Sequence, residues 1–561
     1  MFPAKVPRVF VVASIILSFL VTYTTLHLYH RVPPSYPATN SQVASIADAV
    51  TLGQRPGPGH GSNTAQTATT TVLPTVLASP APRPTSGKGE PDRKPGAGEK
   101  PPTPPVLPGY YSNVAGGTSE EEQQMPLPDP RHCPEDLRFL VRSSIDLELT
   151  ERVRYTRRYI QPVFSKSTIR DDVVNITEPL VKGDVEVDLY DCSDVTIPTS
   201  APIKLHVPNP YPDAAFAHLV FGVATDFHRL NDSIRPFSHW MSDTGAKLVA
   251  VVTDAKDKKA EEMDKLARAF EVAGINATLV RPINDTFTTS QNHFTVLVSM
   301  LEHASPEAQW FGLLDDDTFF PSLKPLSDSL AKLDHETDAY VGALSEDFAA
   351  VRTFGFMAFG GAGAFLSAPL ARKLGDQALK CIDEATSKEG DIIIRDCVYT
   401  NSKAKLTILP GLYQQDMRED VSGFFEAGLR PLNLHHWKSW YKEPVEKMAA
   451  AVKLCGDCFL QRWRFGTDTV LSNGFSIVMY PDGLDSVDLQ SMEGTWNKAG
   501  KDYDFSIGPL RKALPADKKR SYKLRAAEFG ENGDFQQLYL RVGDAARGEL
   551  DEVVELVWRR H

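Results

Sequence analysis

The chain lacks the marks of a nucleic-acid binder: its formal net charge is −12, and no basic stripe interleaved with aromatic residues runs through it. No internal repeat divides it, which favours one large domain with elaborations over several small modules. Cysteine is scarce, with only six in 561 residues. An even count suits disulfides in an oxidising compartment. Cys455-Gly-Asp-Cys458 has the spacing of a redox or zinc half-site as well as of a tight closed loop. Zinc would need a second such pair, and the sequence has none.

Residues 9–28 are largely apolar, and about twenty residues at ~1.5 Å each cross a hydrocarbon core of ~30 Å. Lys5 and Arg8 precede this stretch and His30 and Arg31 follow it, a thin positive-inside bias. The alternative is a cleaved secretory signal, but residues 23–30 offer no clear small-x-small cleavage site. We therefore expect a cytoplasmic tail at 1–8 and a signal anchor at 9–28, a single helix in the membrane. Residues 29–130 turn to Pro, Thr, Ser, Ala and Gly with almost no aromatics, and hold much of the 41 prolines. Such composition buries too little apolar area to offset chain entropy, so a disordered stem is expected, with Ser/Thr beside Pro suited to O-glycosylation.

Beyond the stem, Leu219-Val-Phe-Gly-Val-Ala-Thr225 reads as a buried strand, followed by a helix at 233–242. Residues 247–254 read as a second strand, followed by a charged helix at 256–273. Alternating strands and helices imply a doubly wound α/β sheet with mostly parallel strands. Gly222, Thr225 and Asp254 are then candidate contacts for a ligand at the strand ends, although turn structure accounts for each equally well. A helix at 291–303 leads into Trp310-Phe-Gly-Leu-Leu-Asp315-Asp316-Asp317, where mostly apolar residues deliver three carboxylates to the end of a buried strand. A cation would relieve their repulsion. The charges alone equally suit an acidic turn, a Ca²⁺ loop or a helix cap.

Three further runs follow in order. Phe359-Gly360-Gly361-Ala362-Gly363 lies about forty residues on, its glycines suited to close backbone approach. Glu389-Gly390-Asp391 lies between Cys381 and Cys397, where Asp391 also suits a helix N-cap. Leu434-His435-His436 is preceded by Asp416, Asp420 and Glu426.

Together these runs resemble the Fringe-like β-1,3-glycosyltransferases, glycosyltransferase family 31, and the Leu-His-His run is closest to their fungal and plant branches. The resemblance implies a GT-A-like fold with Asp317 as metal ligand, completed by His435 or His436 around Mn²⁺ or another divalent cation. Alternation along a strand would send the two imidazoles to opposite faces, so one alone is expected to bind. It further implies that Asp315 and Asp316 face the donor sugar nucleotide, that Gly360 and Gly361 approach it, and that Gly222, Thr225 and Asp254 contact its nucleotide. Asp391 is the implied general base. Here Gly390 stands where the family has an acid and Arg395 where it has a glycine. A Cys381–Cys397 disulfide is also implied, leaving Cys455 with Cys458 and, by elimination, Cys133 with Cys192.

The expected function is inverting transfer of a hexose or N-acetylhexosamine from a UDP-sugar to a glycan or glycoprotein hydroxyl, in the Golgi lumen. The departures at Gly390 and Arg395 leave open a catalytically silent, membrane-tethered glycan-binding or scaffold protein on the same fold. A hydrolase is disfavoured, because the acids cluster in a metal-type motif and do not face each other as two isolated carboxylates. Sequons at Asn175, Asn231, Asn276 and Asn284 agree with a lumenal placement. The expected domains are an amino-terminal subdomain at 131–210, a catalytic domain at 211–450 and a β-rich extension at 451–561, the last either packed on the core or a small carbohydrate-binding module.

Overall fold

The computed structural model describes residues 128–165, 173–497 and 504–560. The expected tail, membrane span and nearly all of the stem lie outside these. Among the described residues no helix is long and apolar enough to cross a membrane.

Two sheets dominate. The first has seven strands: β1 (Leu219–Thr225), β2 (Lys247–Val252), β3 (Asn276–Val280), β4 (Trp310–Leu314), β5 (Tyr340–Gly342), β6 (Ala364–Ser367) and β7 (Leu406–Ile408). Their order is β3-β2-β1-β4-β6-β5-β7. All residues of β1 and β4 are buried, as near-continuous apolar strands covered on both faces should be. Strands β1 to β4 run parallel, whereas β6 is antiparallel to both β4 and β5. The sheet is thus doubly wound and mostly parallel, as expected, with one reversed strand that the apolar pattern did not disclose. The chain winds outward from β1 to β3 and returns at β4. The switch point therefore opens between the carboxyl ends of β1 and β4, where Thr225 and the three aspartates lie.

Two helices frame that opening. Helix α1 (Thr289–His303) begins in a capping box formed by Thr288 and Gln291. Helix α2 (Gly390–Asn401) is tied to the preceding helix, Ala378–Asp383, by the Cys381–Cys397 disulfide.

The second sheet has ten strands. Its long strand Arg152–Phe164 pairs in parallel with Asp551–Trp558 and antiparallel with Val185–Asp188. Residues 131–210 and 451–561, read from sequence as separate regions, thus contribute to one sheet. The run Glu151-Arg-Val-Arg-Tyr-Thr-Arg-Arg158, which reads as a charged stretch, supplies most of its first strand's beginning. Its inward charges are paired: Arg157 lies 3.1 Å from Asp136 and 4.0 Å from the fully buried Glu555, while Arg158 bonds Glu178. One apolar core joins both sheets, bringing Phe221 and Val223 of β1 together with Trp463, Phe475 and Trp558. The remaining cysteines form Cys133–Cys192 and Cys455–Cys458.

Candidate active site

The three aspartates at the end of β4 go to three different surroundings. Asp316 points back under β1, where its carboxylate accepts from Thr225 Oγ1 at 2.6 Å and Arg229 Nε at 2.6 Å, with Lys438 Nζ 3.4 Å away. The expected donor contacts Thr225 and Asp316 are therefore bonded to each other. Asp317 accepts from Ser439 Oγ at 2.7 Å and lies 3.2 Å from His435 Nε2. Asp315 faces the cleft, 3.5 Å from His435 Nε2 and 3.8 Å from His293 Nδ1. Burial disfavours a charged Asp317, but the His435 imidazole outweighs it and holds that carboxyl well below the usual carboxylate range.

His435 is fully enclosed. Its Nδ1 donates to the Gln414 carbonyl at 2.7 Å, which leaves Nε2 for the carboxylates. A ligating imidazole is commonly fixed in this way, its second nitrogen anchored to a carbonyl. Burial opposes its charged form, yet Asp315 and Asp317 raise its pKa well above the ordinary histidine value. His436 does not turn to the opposite face, as strand alternation would require. Its φ of 61° breaks the strand, so its ring stacks against His435 at a centroid distance of 3.6 Å and on Trp440 at 3.7 Å. Asp317, His435 and His436 thus bring ligand atoms within 4.8 Å of one another in a buried group. One carboxylate and two imidazoles suit a Mn²⁺-class ion. Of the two, His435 aims its Nε2 at Asp315 and Asp317, whereas His436 Nε2 is engaged with Asp416 at 3.3 Å.

Across the cleft, Asp391 sits in the first turn of α2 and does not cap it: its Oδ2 accepts from Gly360 N at 2.9 Å. Burial, reinforced by the nearby Asp315 charge, pushes its carboxyl up to about 6. His293 of α1 lies between the two acids, with Nε2 3.6 Å from Asp391 Oδ1.

The glycine run serves these side chains. A β-carbon at Gly361 would lie 2.0 Å from His435 Cε1, and one at Gly360 would lie 2.7 Å from Asp391 Oδ1. These two glycines thus let the backbone pack closely against Asp391 and His435. Of the three, only Gly363 takes a positive φ, at 89°. Two other expected contacts are displaced. Gly222 lies in the middle of β1, where a β-carbon would meet Met300 Sδ at 2.3 Å, so it packs beneath α1 and not at the strand end. Asp254 staples the turn after β1, accepting from Phe227 N at 2.8 Å and pairing with Lys258.

The site opens into a cleft of about 730 Å³, lined among others by His293, Asp315, Asp391, Asp416, His436 and Trp440. Asn497 and Phe505 also line it, so the carboxyl-terminal region reaches the cleft. Sequence reading missed several of the site's parts. His293 lies inside a helix with no motif around it. Glu346 is buried and accepts from the backbone of Gln414 at 2.9 Å and Gln415 at 2.8 Å. Arg229 and Lys438 become visible only through the fold, since they come from segments some two hundred residues apart to meet Asp316. All four sequon asparagines are exposed.

Residues 238–422 match the Fringe-like family model. This stretch is a Fringe-like domain. A second model, a protein family of unknown function designated DUF604, matches residues 351–547. The aspartate run lies only in the Fringe-like match and the His435-His436 pair only in the other, while Gly360, Gly361 and Asp391 lie in both. None of the curated proteins matches the chain. Among solved structures, the chain is similar to a mannosyltransferase from Pyrobaculum calidifontis in complex with GDP-Man and Mn²⁺, at 12% identity and TM-score 0.26, over 39% of this chain and 63% of that one. It is also similar to the glycosyltransferase GlyE of Streptococcus pneumoniae, at 15% identity and TM-score 0.29, over 42% and 60%. Mouse xyloside xylosyltransferase 1 is similar at 12% identity and TM-score 0.23, over 32% and 79%. The chain spans less than two thirds of the length of the first two.

Proposed function

We propose that the protein is an inverting, metal-dependent transferase that moves a hexose or N-acetylhexosamine from a UDP-sugar to a hydroxyl of a glycan or glycoprotein, forming a β-1,3 linkage. The observation that carries this reading is the placement of a buried Asp317–His435–His436 group and a raised-pKa Asp391 on one cleft at the switch point. Asp317 and His435 would hold Mn²⁺ or another divalent cation. When bound, the ion neutralises the charge that develops on the departing diphosphate.

The remaining work belongs to the chain's own groups. Asp391, ionised at neutral pH yet more basic than an ordinary carboxylate, accepts the proton of the acceptor hydroxyl. A single displacement inverts the anomeric centre and needs no covalent enzyme intermediate. Asp315, facing the cleft, orients donor hydroxyls. Asp316 keeps Thr225, Arg229 and Lys438 in place beneath them.

The departures that left a silent binding protein open do not remove a site group. Arg395 pairs with Asp396 at 2.8 Å and bonds the Phe354 carbonyl, and Asp391 is retained. Exposed sequons and three disulfides support a lumenal, Golgi setting with a type II anchor.

Calorimetric titration of the full-length chain with UDP, with and without Mn²⁺, tests the reading. UDP binding that requires the ion and disappears in Asp317→Ala supports it. UDP binding indifferent to the ion, or unchanged in the variant, contradicts it.

A further inference from the structure

His293 is buried to all but 7% of its surface, and its Nε2 has no hydrogen-bond partner. A buried ring nitrogen left without a partner is destabilising, so such a group invites an occupant. The surroundings narrow what that occupant is. Nε2 lies 3.6 Å from Asp391 Oδ1, too far for a direct hydrogen bond, and both residues line the cleft. Nε2 itself has almost no exposed surface, so an oxygen that bonds both groups enters from the cleft as the two side chains part slightly.

The chain makes room for this imidazole. A β-carbon at Gly390 would stand 2.9 Å from the Ser290 carbonyl oxygen and 3.0 Å from His293 Cδ2, the atom next to Nε2. Ser290 and His293 both belong to α1, and Gly390 opens α2, so the glycine sets how closely the two helix ends meet. The absence of an acid at position 390 is thus matched by a ring from another helix occupying the adjoining space.

We infer that His293 Nε2 and Asp391 Oδ1 form a two-point seat for the acceptor hydroxyl, with His293 a second catalytic contact and Gly390 the residue that admits it. The inference rests on the transferase reading above. The hydroxyl oxygen accepts from Nε2–H while its own proton points at Asp391. As that proton passes to the carboxylate, the oxygen bonds to the anomeric carbon. The bond from that carbon to the diphosphate oxygen breaks, and its electron pair leaves on UDP. His293 keeps its proton throughout, holding the oxygen's lone pair in line for attack.

The test uses the full-length chain with Mn²⁺, UDP-galactose, UDP-glucose and UDP-N-acetylglucosamine as donors, and p-nitrophenyl β-galactoside and β-glucoside as acceptors. His293→Ala should lower kcat/KM for the acceptor by at least about tenfold, the worth of one charge-assisted hydrogen bond. Mn²⁺-dependent UDP binding should stay as in the parent. His293→Gln, which restores an N–H near the same place, should recover part of the loss. Gly390→Ala should reproduce the loss, and adding it to His293→Ala should cost little more, because both disturb one contact. Transfer by His293→Ala at the parent rate overturns the inference. So does a parallel loss of UDP binding, which would mark a purely structural role. If the parent chain itself shows no Mn²⁺-dependent UDP binding, the transferase reading falls, and this inference with it.

Discussion

His435 and Gln414 are joined by a 2.7 Å hydrogen bond from the imidazole Nδ1 to the backbone carbonyl, and that bond aims Nε2 at Asp317. The nitrogen proposed to bind metal is therefore selected by the main chain. The Gln414-Gln415 segment is in turn held by Glu346, and Gln415, at a φ of 59°, accepts from the His435 backbone through its side chain.

Asp317→Asn should keep the fold while removing the only carboxylate in the buried Asp/His/His group. In the parent, saturating Mn²⁺ at about 100 times its Kd should stabilise the chain by about 2.7 kcal/mol. The variant should show no Mn²⁺-dependent rise in melting temperature. An equal rise in both proteins would remove Asp317 from the metal site.

Gly361→Ala tests how the glycine run acts. Its β-carbon would overlap the His435 ring at 2.0 Å, and overpacking of this kind costs about 1–3 kcal/mol. The expected result is weaker Mn²⁺ binding together with a lowered melting temperature. Parent-like Mn²⁺ affinity would show that the ring has room to move.

Asp391 gives a pH signature. As a base it must be ionised, so kcat/KM should fall as pH drops through about 6. The stability effect has the opposite sense. With its folded pKa above the ordinary carboxyl value of 3.8, the native state holds an extra proton between these values, so Asp391 destabilises the fold increasingly as pH rises toward about 6. Asp391→Asn should accordingly melt higher than the parent at pH 7.5 and show little of this gain near pH 4. An acid limb near 4 would place the base elsewhere.

Much of this was legible in the sequence, and the gaps have physical causes. Strands at 219–225 and 310–314 show as apolar runs because both faces are buried, and the aspartate run marks the end of the second. The strand at 152–164 was hidden because buried Arg157 and Arg158 look exposed until Asp136, Glu178 and Glu555 are seen beside them. His435 and His436 do not take the opposite faces that alternation implies, because a left-handed φ at a non-glycine residue leaves no trace in residue type. Gly222 gave a false signal, since a glycine that admits a helix and one that admits a ligand look alike in sequence. His293 had no motif around it at all.

Glu346→Ala should leave the backbone N–H groups of Gln414 and Gln415 without their acceptor, at about 1–3 kcal/mol for each buried group. Burial, foremost, together with the nearby Asp416 charge, pushes the Glu346 carboxyl up to about 7, so the parent carries a cost there for the sake of the clip. Thermal unfolding should show a lowered midpoint, and calorimetry a weakened Mn²⁺ affinity. Loss of stability with unchanged metal affinity would separate Glu346 from the positioning of His435.

Removing residues 551–560 takes away the strand Asp551–Trp558, which pairs with both Arg152–Phe164 and Phe535–Arg541. All eight of its residues are buried. The truncated chain should fail to reach a soluble, cooperatively melting state. A cooperative melt near the parent midpoint would show that the ten-stranded sheet tolerates an open centre.

The central claim is that this cleft transfers sugar from a metal-bound nucleotide donor. The most direct measurement incubates the full-length chain with Mn²⁺ and each of a panel of UDP-sugars, following UDP release with and without chelator. The expected result is release that is selective for one donor, abolished by chelator and absent in Asp317→Asn. Release that persists at the same rate under chelator, or is shared by Asp317→Asn, would contradict it.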